Sequence, residues 1–161
     1  MRNFYIKQRI FAIGSKFDVL NENKEAEYIV EADKFDLGKN ISIYDRNGRK
    51  VLYFKQHLRI GTHKYVVYNS NMEEIAEIKK EFMYPGYKIT GRIGNITMKA
   101  NDFLGRHYDV EYGNIQIAKI GKEISFFRDE YYLEVLDENF TEFLIGLLVI
   151  IDMVKYNNKN K

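Results

Sequence analysis

The chain has 161 residues, 45% of them apolar and 30% charged, with a formal charge of +2 and no cysteine. That length suits one domain able to bury a sizeable core. The missing cysteine excludes disulfides, thiolate zinc sites and a cysteine nucleophile, and so small a net charge gives no reason to expect nucleic acid as a partner.

The opening stretch, Met1-Arg2-Asn3-Phe4-Tyr5-Ile6-Lys7, carries charge and has no apolar signal region, so a cytoplasmic location is expected. With 13 Tyr and 11 Phe against one Pro, the composition favours strands. From Lys16 to Leu136 the pattern is one of short strands separated by turn signals, about a dozen of them, with no helix between. Lys16 to Leu20 and Glu27 to Glu31 flank the polar turn Asn21 to Glu25. Ile41 to Tyr44 leads through Asp45-Arg46-Asn47-Gly48 into Val51 to Leu58. Asn-Gly suits such a turn because both residues tolerate positive φ. Tyr65 to Tyr68 turns at Asn69-Ser70-Asn71 into Ile75 to Phe82, and Tyr87 to Thr90 turns at Gly94-Asn95 into Ile96 to Lys99. Tyr108 to Tyr112 turns at Gly113-Asn114 into Ile115 to Ile120. Gly121-Lys122 is expected to break the chain before Ile124 to Arg128, and Tyr131 to Leu136 is the last strand. A weak repeat lays Tyr44 to Lys55 over Tyr68 to Lys79 and returns loosely at Ile117 to Arg128.

A different stretch follows. Asn139 and Glu142 have the spacing of a capping box, and Phe143 to Ile151 is apolar on every side apart from Gly146. The spacing predicts a helix over Phe140 to Lys155, and a helix apolar all round is buried all round. Its apolar run falls short of the 18 or more residues expected of a membrane span, so protein is the expected surround. Burying its eight large side chains contributes on the order of 12–24 kcal/mol before entropy is subtracted. Strands with one apolar face each, followed by such a helix, are satisfied together by a closed antiparallel barrel around it. Closure removes exposed sheet edges, and the helix fills a barrel too wide for side chains alone. The fold class is therefore α+β, mainly antiparallel β, with one domain over residues 1–156 and a polar tail over 157–161.

These pieces, in their order, resemble the LURP-one-related family of the tubby C-terminal-like superfamily, to which the phospholipid scramblases also belong. The matching residues are Ile6-Lys7-Gln8 with Lys16-Phe17-Asp18-Val19, Ile43 to Val51, Tyr87-Lys88-Ile89, Asp129 to Val135, and the apolar helix ending Val149-Ile150-Ile151-Asp152. The resemblance runs from about Asn3 to Val154 and implies a tubby-like barrel of about twelve strands around a buried C-terminal helix. It also implies a non-enzymatic binding or scaffold module whose exterior meets an anionic phospholipid headgroup, at a membrane surface, or a protein partner. Scramblase-like lipid translocation is the alternative, although no acidic calcium loop precedes the helix.

The residues themselves offer no catalytic set. Ser15, Ser42, Ser70 and Ser125 have no neighbouring base, and glycines 86, 91 and 94 make no phosphate loop. His57 and His63 bracket a turn without the acidic or further ligands a metal needs, so no metal and no cofactor is expected. The densest basic cluster is Lys55, His57, Arg59, His63 and Lys64, beside Tyr53 and Tyr65. Strand alternation puts Lys55, His57 and Arg59 on one face, suited to a phosphate group through charge-assisted hydrogen bonds. That cluster is the candidate ligand site.

Overall fold

The computed structural model describes residues 1–7, 16–33, 40–59, 62–81, 86–104, 106–124 and 129–159. Twelve strands come first: β1 (Arg2–Lys7), β2 (Lys16–Leu20), β3 (Ala26–Ala32), β4 (Ile41–Asp45), β5 (Lys50–Arg59) and β6 (Thr62–Asn69), then β7 (Glu74–Glu81), β8 (Gly86–Thr90), β9 (Ile96–Ala100), β10 (His107–Tyr112), β11 (Ile115–Ile124) and β12 (Asp129–Val135). A single 3₁₀ turn, Glu138–Phe140, leads into helix α1 (Thr141–Lys159). Each strand pairs antiparallel with the next, and β1 pairs with both β2 and β12, which closes the barrel. The connections β2–β3, β4–β5, β6–β7, β8–β9 and β10–β11 therefore share one end, the end at which α1 begins.

Alternation decides what faces inward. Phe4 and Ile6 of β1, Leu52 and Phe54 of β5, and Leu133 and Val135 of β12 are all buried, while their neighbours face out. α1 runs down the middle. Residues Phe143, Leu144, Ile145, Leu147, Leu148, Val149, Ile150 and Ile151 are each at most 3% exposed, on every side of the helix. Only a surround of protein does that. Phe143 stacks on Phe54 with ring centroids 6.3 Å apart, and Gly146 lies against the same Phe54 ring.

Four sequence expectations change in detail. The first strand is Arg2–Lys7, and the expected break at Gly121 does not exist: β11 runs unbroken through it. A Cβ at Gly121 would come within 2.2 Å of the Tyr132 ring, so glycine is there for close approach and not for a turn. Residues 125–128, expected to belong to a strand, lie outside the described residues. The helix start also moves. Asp137, not Asn139, caps the 3₁₀ turn by accepting from the Asn139 N–H at 3.1 Å, and the Thr141 hydroxyl donates to the Glu138 carbonyl at 2.8 Å. The interposed turn leaves Glu142 half-buried at the barrel mouth, where burial and Asp45 push its carboxyl up. At the other end the helix continues to Lys159, beyond the Lys155 expected.

The repeat is real at the turns. In the turn after β4, Asp45 Oδ1 accepts from the N–H groups of Asn47 and Arg49, and in the turn after β6, Asn69 Oδ1 accepts from Asn71 and Glu73. A third copy precedes them, with Asn21 Oδ1 accepting from Asn23 and Glu25. Ile117 to Ile124, where the repeat returned loosely in sequence, is unbroken strand β11 and holds no such turn. The fourth residue of each turn is left-handed: Lys24 (φ 62°), Gly48 (φ 74°) and Met72 (φ 60°). Only one of the three is glycine. Met72 is also 58% exposed, so Met72→Gly loses little packing and relieves a left-handed cost of about 1 kcal/mol. Chemical denaturation is expected to show a gain of about 0.5–1 kcal/mol; a loss would mean the Met72 side chain holds the turn.

Candidate basic face on the barrel exterior

On β5, burial of Leu52, Phe54 and Gln56 turns Tyr53, Lys55 and His57 outward. The register then continues the line across the sheet: His57 is opposite Lys64, Lys64 opposite Lys79, and Lys79 opposite Lys88. Neighbouring strands are about 4.8 Å apart, so four basic residues form one row across β5, β6, β7 and β8. Lys55 lies one step along β5 from this row on the same face. Like charges set directly opposite each other destabilise a sheet, and the row is a standing electrostatic cost.

One acid offsets part of it. Glu77, two residues before Lys79 on the same face, pairs with Lys64 and with Lys79, the latter at 2.9 Å. Hydrogen bonds from Lys64 and then Lys79 hold its carboxyl below the usual range. A depressed carboxylate of this kind contributes stability at neutral pH and loses it as pH falls through that lowered value. Lys55 and Lys88 are exposed and have no acidic partner among the described residues. His57 Nε2 is buried and meets no hydrogen-bond partner among the described residues. Beside the row, Tyr53 lies against Tyr68 with ring centroids 6.3 Å apart, and its hydroxyl donates to Asp33 at 3.1 Å.

Of the five residues expected from sequence, Lys55, His57 and Lys64 come together on this face. Arg59 is in step with His57 along β5 and pairs with Thr62, whereas His63 pairs with Leu58 and is one position out of step. The side chains of Arg59 and His63 lie outside the described residues. Lys79 and Lys88 escape sequence reading because they sit nine residues apart on separate strands and meet only through the register. The signal available was their outward parity, alternating with Ile78 and Ile89.

Two concavities lie elsewhere. One, of about 460 Å³ at the barrel mouth, is lined by Arg2, Glu27, Tyr28, Asp45 and Glu142 among others, and holds the Arg2–Glu27 and Arg49–Asp45 pairs beside Glu142. The other, of about 260 Å³ over β1, β11 and β12, is acidic, with Glu123, Glu130 and Glu134 beside Tyr5 and Tyr132. The Lys24 ammonium sits 3.6 Å above the Tyr5 ring and 3.9 Å from Glu130. Bases thus gather on β5–β8, while the opposite strands carry Glu123, Glu130 and Glu134 with Lys24 and Lys119 among them. Among the described residues no three His, Asp or Glu side chains gather as metal ligands, and no helix is long and apolar enough to cross a membrane.

Comparison with known proteins agrees with this architecture. The protein YxjI of Bacillus subtilis (strain 168), itself uncharacterised, is 21% identical over 163 residues, covering 100% of this chain and 98% of that protein. The X-ray structure of the Arabidopsis thaliana protein AT5G01750 superposes with a TM-score of 0.62 at 13% identity, over 94% of this chain and 91% of that one. That likeness concerns the fold alone: a twelve-stranded barrel closed around a helix. The LURP-one-related family model matches residues 2–152, and this chain belongs to the LURP-one-related family.

Proposed function

We propose that this chain is a non-enzymatic binding module that recognises phosphate-bearing headgroups of an anionic phospholipid surface, peripherally, through the basic row His57, Lys64, Lys79 and Lys88. The row itself carries the reading. Surface energetics favours interspersed signs, yet four bases stand in line with Glu77 as their partner and with Lys88 left open. The ammonium groups of Lys64, Lys79 and Lys88 so spaced suit the oxygens of adjacent headgroups, to which each lysine near the surface contributes about 1 kcal/mol. Binding is favoured over lipid translocation because the helix's apolar side chains are committed to the barrel core.

Co-sedimentation with vesicles of phosphatidylcholine and phosphatidylserine tests it. Lys79→Ala/Lys88→Ala removes about 2 kcal/mol of attraction, roughly a 30-fold loss of affinity. The parent's binding should weaken as salt rises, because exposed ion contacts are screened over about 8 Å at physiological strength. Equal binding by parent and variant, or no binding by either, would remove the row as the site. Flip of a fluorescent lipid in reconstituted vesicles would instead favour translocation.

A further inference from the structure

The connection from β9 to β10 carries two bulky apolar side chains that the fold leaves bare. Phe103 is fully exposed and Leu104 is 66% exposed. The loop is nevertheless built. Asp102 accepts hydrogen bonds from the backbone N–H groups of Arg106 (2.9 Å) and His107 (3.0 Å) and lies 2.8 Å from His107 Nδ1. The Asn101 N–H donates to the His107 carbonyl at 2.8 Å. Those donors, the Arg106 N–H first, hold the Asp102 carboxyl down at about 2, so the brace is ionised and intact across the neutral range. The apolar tip is presented rather than left over.

Its position relative to the basic row gives it an occupant. The loop leaves the barrel at the end opposite the Asn and Asp turns. His57, Lys64, Lys79 and Lys88 each lie two residues from that same rim, at Arg59, Thr62, Glu81 and Gly86. Two residues of strand span about 7 Å. Lys99 stands at the rim on β9, opposite Gly86, paired with Glu111 at 3.1 Å, and Arg106 at the foot of the loop is exposed with no acidic partner among the described residues. An apolar point projecting beyond a basic margin matches a bilayer interface, where acyl chains lie just beneath anionic headgroups. A purely aqueous anion would use the bases and leave the tip idle.

We propose that Phe103 and Leu104 insert into the interface of an anionic phospholipid bilayer while the basic row and Arg106 engage its headgroups. This rests on the headgroup reading of the row and adds depth of insertion to it. The chain has no tryptophan, so Phe103→Trp supplies a single fluorescent reporter at a fully exposed position. With phosphatidylcholine/phosphatidylserine vesicles its emission should shift to the blue and be quenched by brominated acyl chains; with pure phosphatidylcholine it should not. Phe103→Ser/Leu104→Ser should lose more than about tenfold in vesicle affinity, with binding of inositol hexakisphosphate, a soluble polyanion, unchanged. Vesicle binding with unshifted emission would overturn insertion and leave the headgroup reading standing. Binding of the soluble polyanion without vesicle binding would overturn both insertion and the membrane source of the phosphate. A blue shift that depends on protein concentration without vesicles would make the tip a self-association surface and overturn the inference. Binding of neither probe would overturn the row as well.

Discussion

Leu148→Asp is expected to unfold the domain. Leu148 is 1% exposed on a helix enclosed by strands on all sides, with Leu144 and Ile151 similarly buried on adjoining turns. Truncating a packed leucine costs about 2–5 kcal/mol through lost burial and the cavity left behind. The core cluster around the helix holds no cationic side chain, and burial of a carboxylate there adds several kcal/mol or forces it to take up a proton. The sum, about 5 kcal/mol or more, equals much of the stability of an ordinary domain. Leu148→Met keeps volume and polarity and should cost less than about 1.5 kcal/mol. Circular dichroism melts of the two variants separate the cases. An unchanged melting curve for the aspartate variant would rule out a central helix.

The second large effect reverses an ordinary rule. Glycine within a helix costs about 1 kcal/mol relative to alanine, so Gly146→Ala would stabilise an open helix. Here a Cβ would fall 1.9 Å from Phe54 Cζ, and Phe54 is fully buried between β5 and the helix. The ring is held by its stack on Phe143. Gly146→Ala should therefore destabilise by about 1–3 kcal/mol, the range for overpacking. Shortening the obstacle should relieve it: in Gly146→Ala/Phe54→Leu the two losses should sum to less than their separate values by about 1 kcal/mol or more. Strict additivity in chemical denaturation would mean that the helix can shift away from β5, and that Gly146 does not set its seat.

Residue patterns carried the architecture a long way. The all-round apolar stretch Phe143 to Ile151 demanded a complete surround, and the paired turns at Asp45 and Asn69 announced hairpins. Most of what failed depended on contacts between distant residues, and the helix cap on a local competition. β1 closes the barrel by pairing with β12, Arg2 opposite Val135 and Lys7 opposite Glu130, and nothing local marks it as more than a charged N-terminus. Gly121 looked like a turn because only the Tyr132 ring, eleven residues on, explains it. Asn139 and Glu142 had capping-box spacing, but Asp137 captured the first free amide and moved the helix start to Thr141.

The candidate face shows the same division. Lys55 and His57 were visible as alternate residues of one strand, since parity is a local property. Lys64 was named beside them, but the continuation through Lys79 and Lys88 is a property of register, which hairpin pairing sets and composition hides. A net charge of +2 likewise concealed the gathering of bases on β5–β8. Charge averaged over a chain says little about charge arranged on a barrel.

Backbone amide chemical shifts tracked by NMR during titration with inositol hexakisphosphate test most directly where an anion sits. The account predicts perturbations confined to β5–β8 and centred on His57, Lys64, Lys79 and Lys88, diminishing as salt is raised. Perturbations centred on the β11–β12–β1 face, or none at millimolar ligand and low salt, would contradict it.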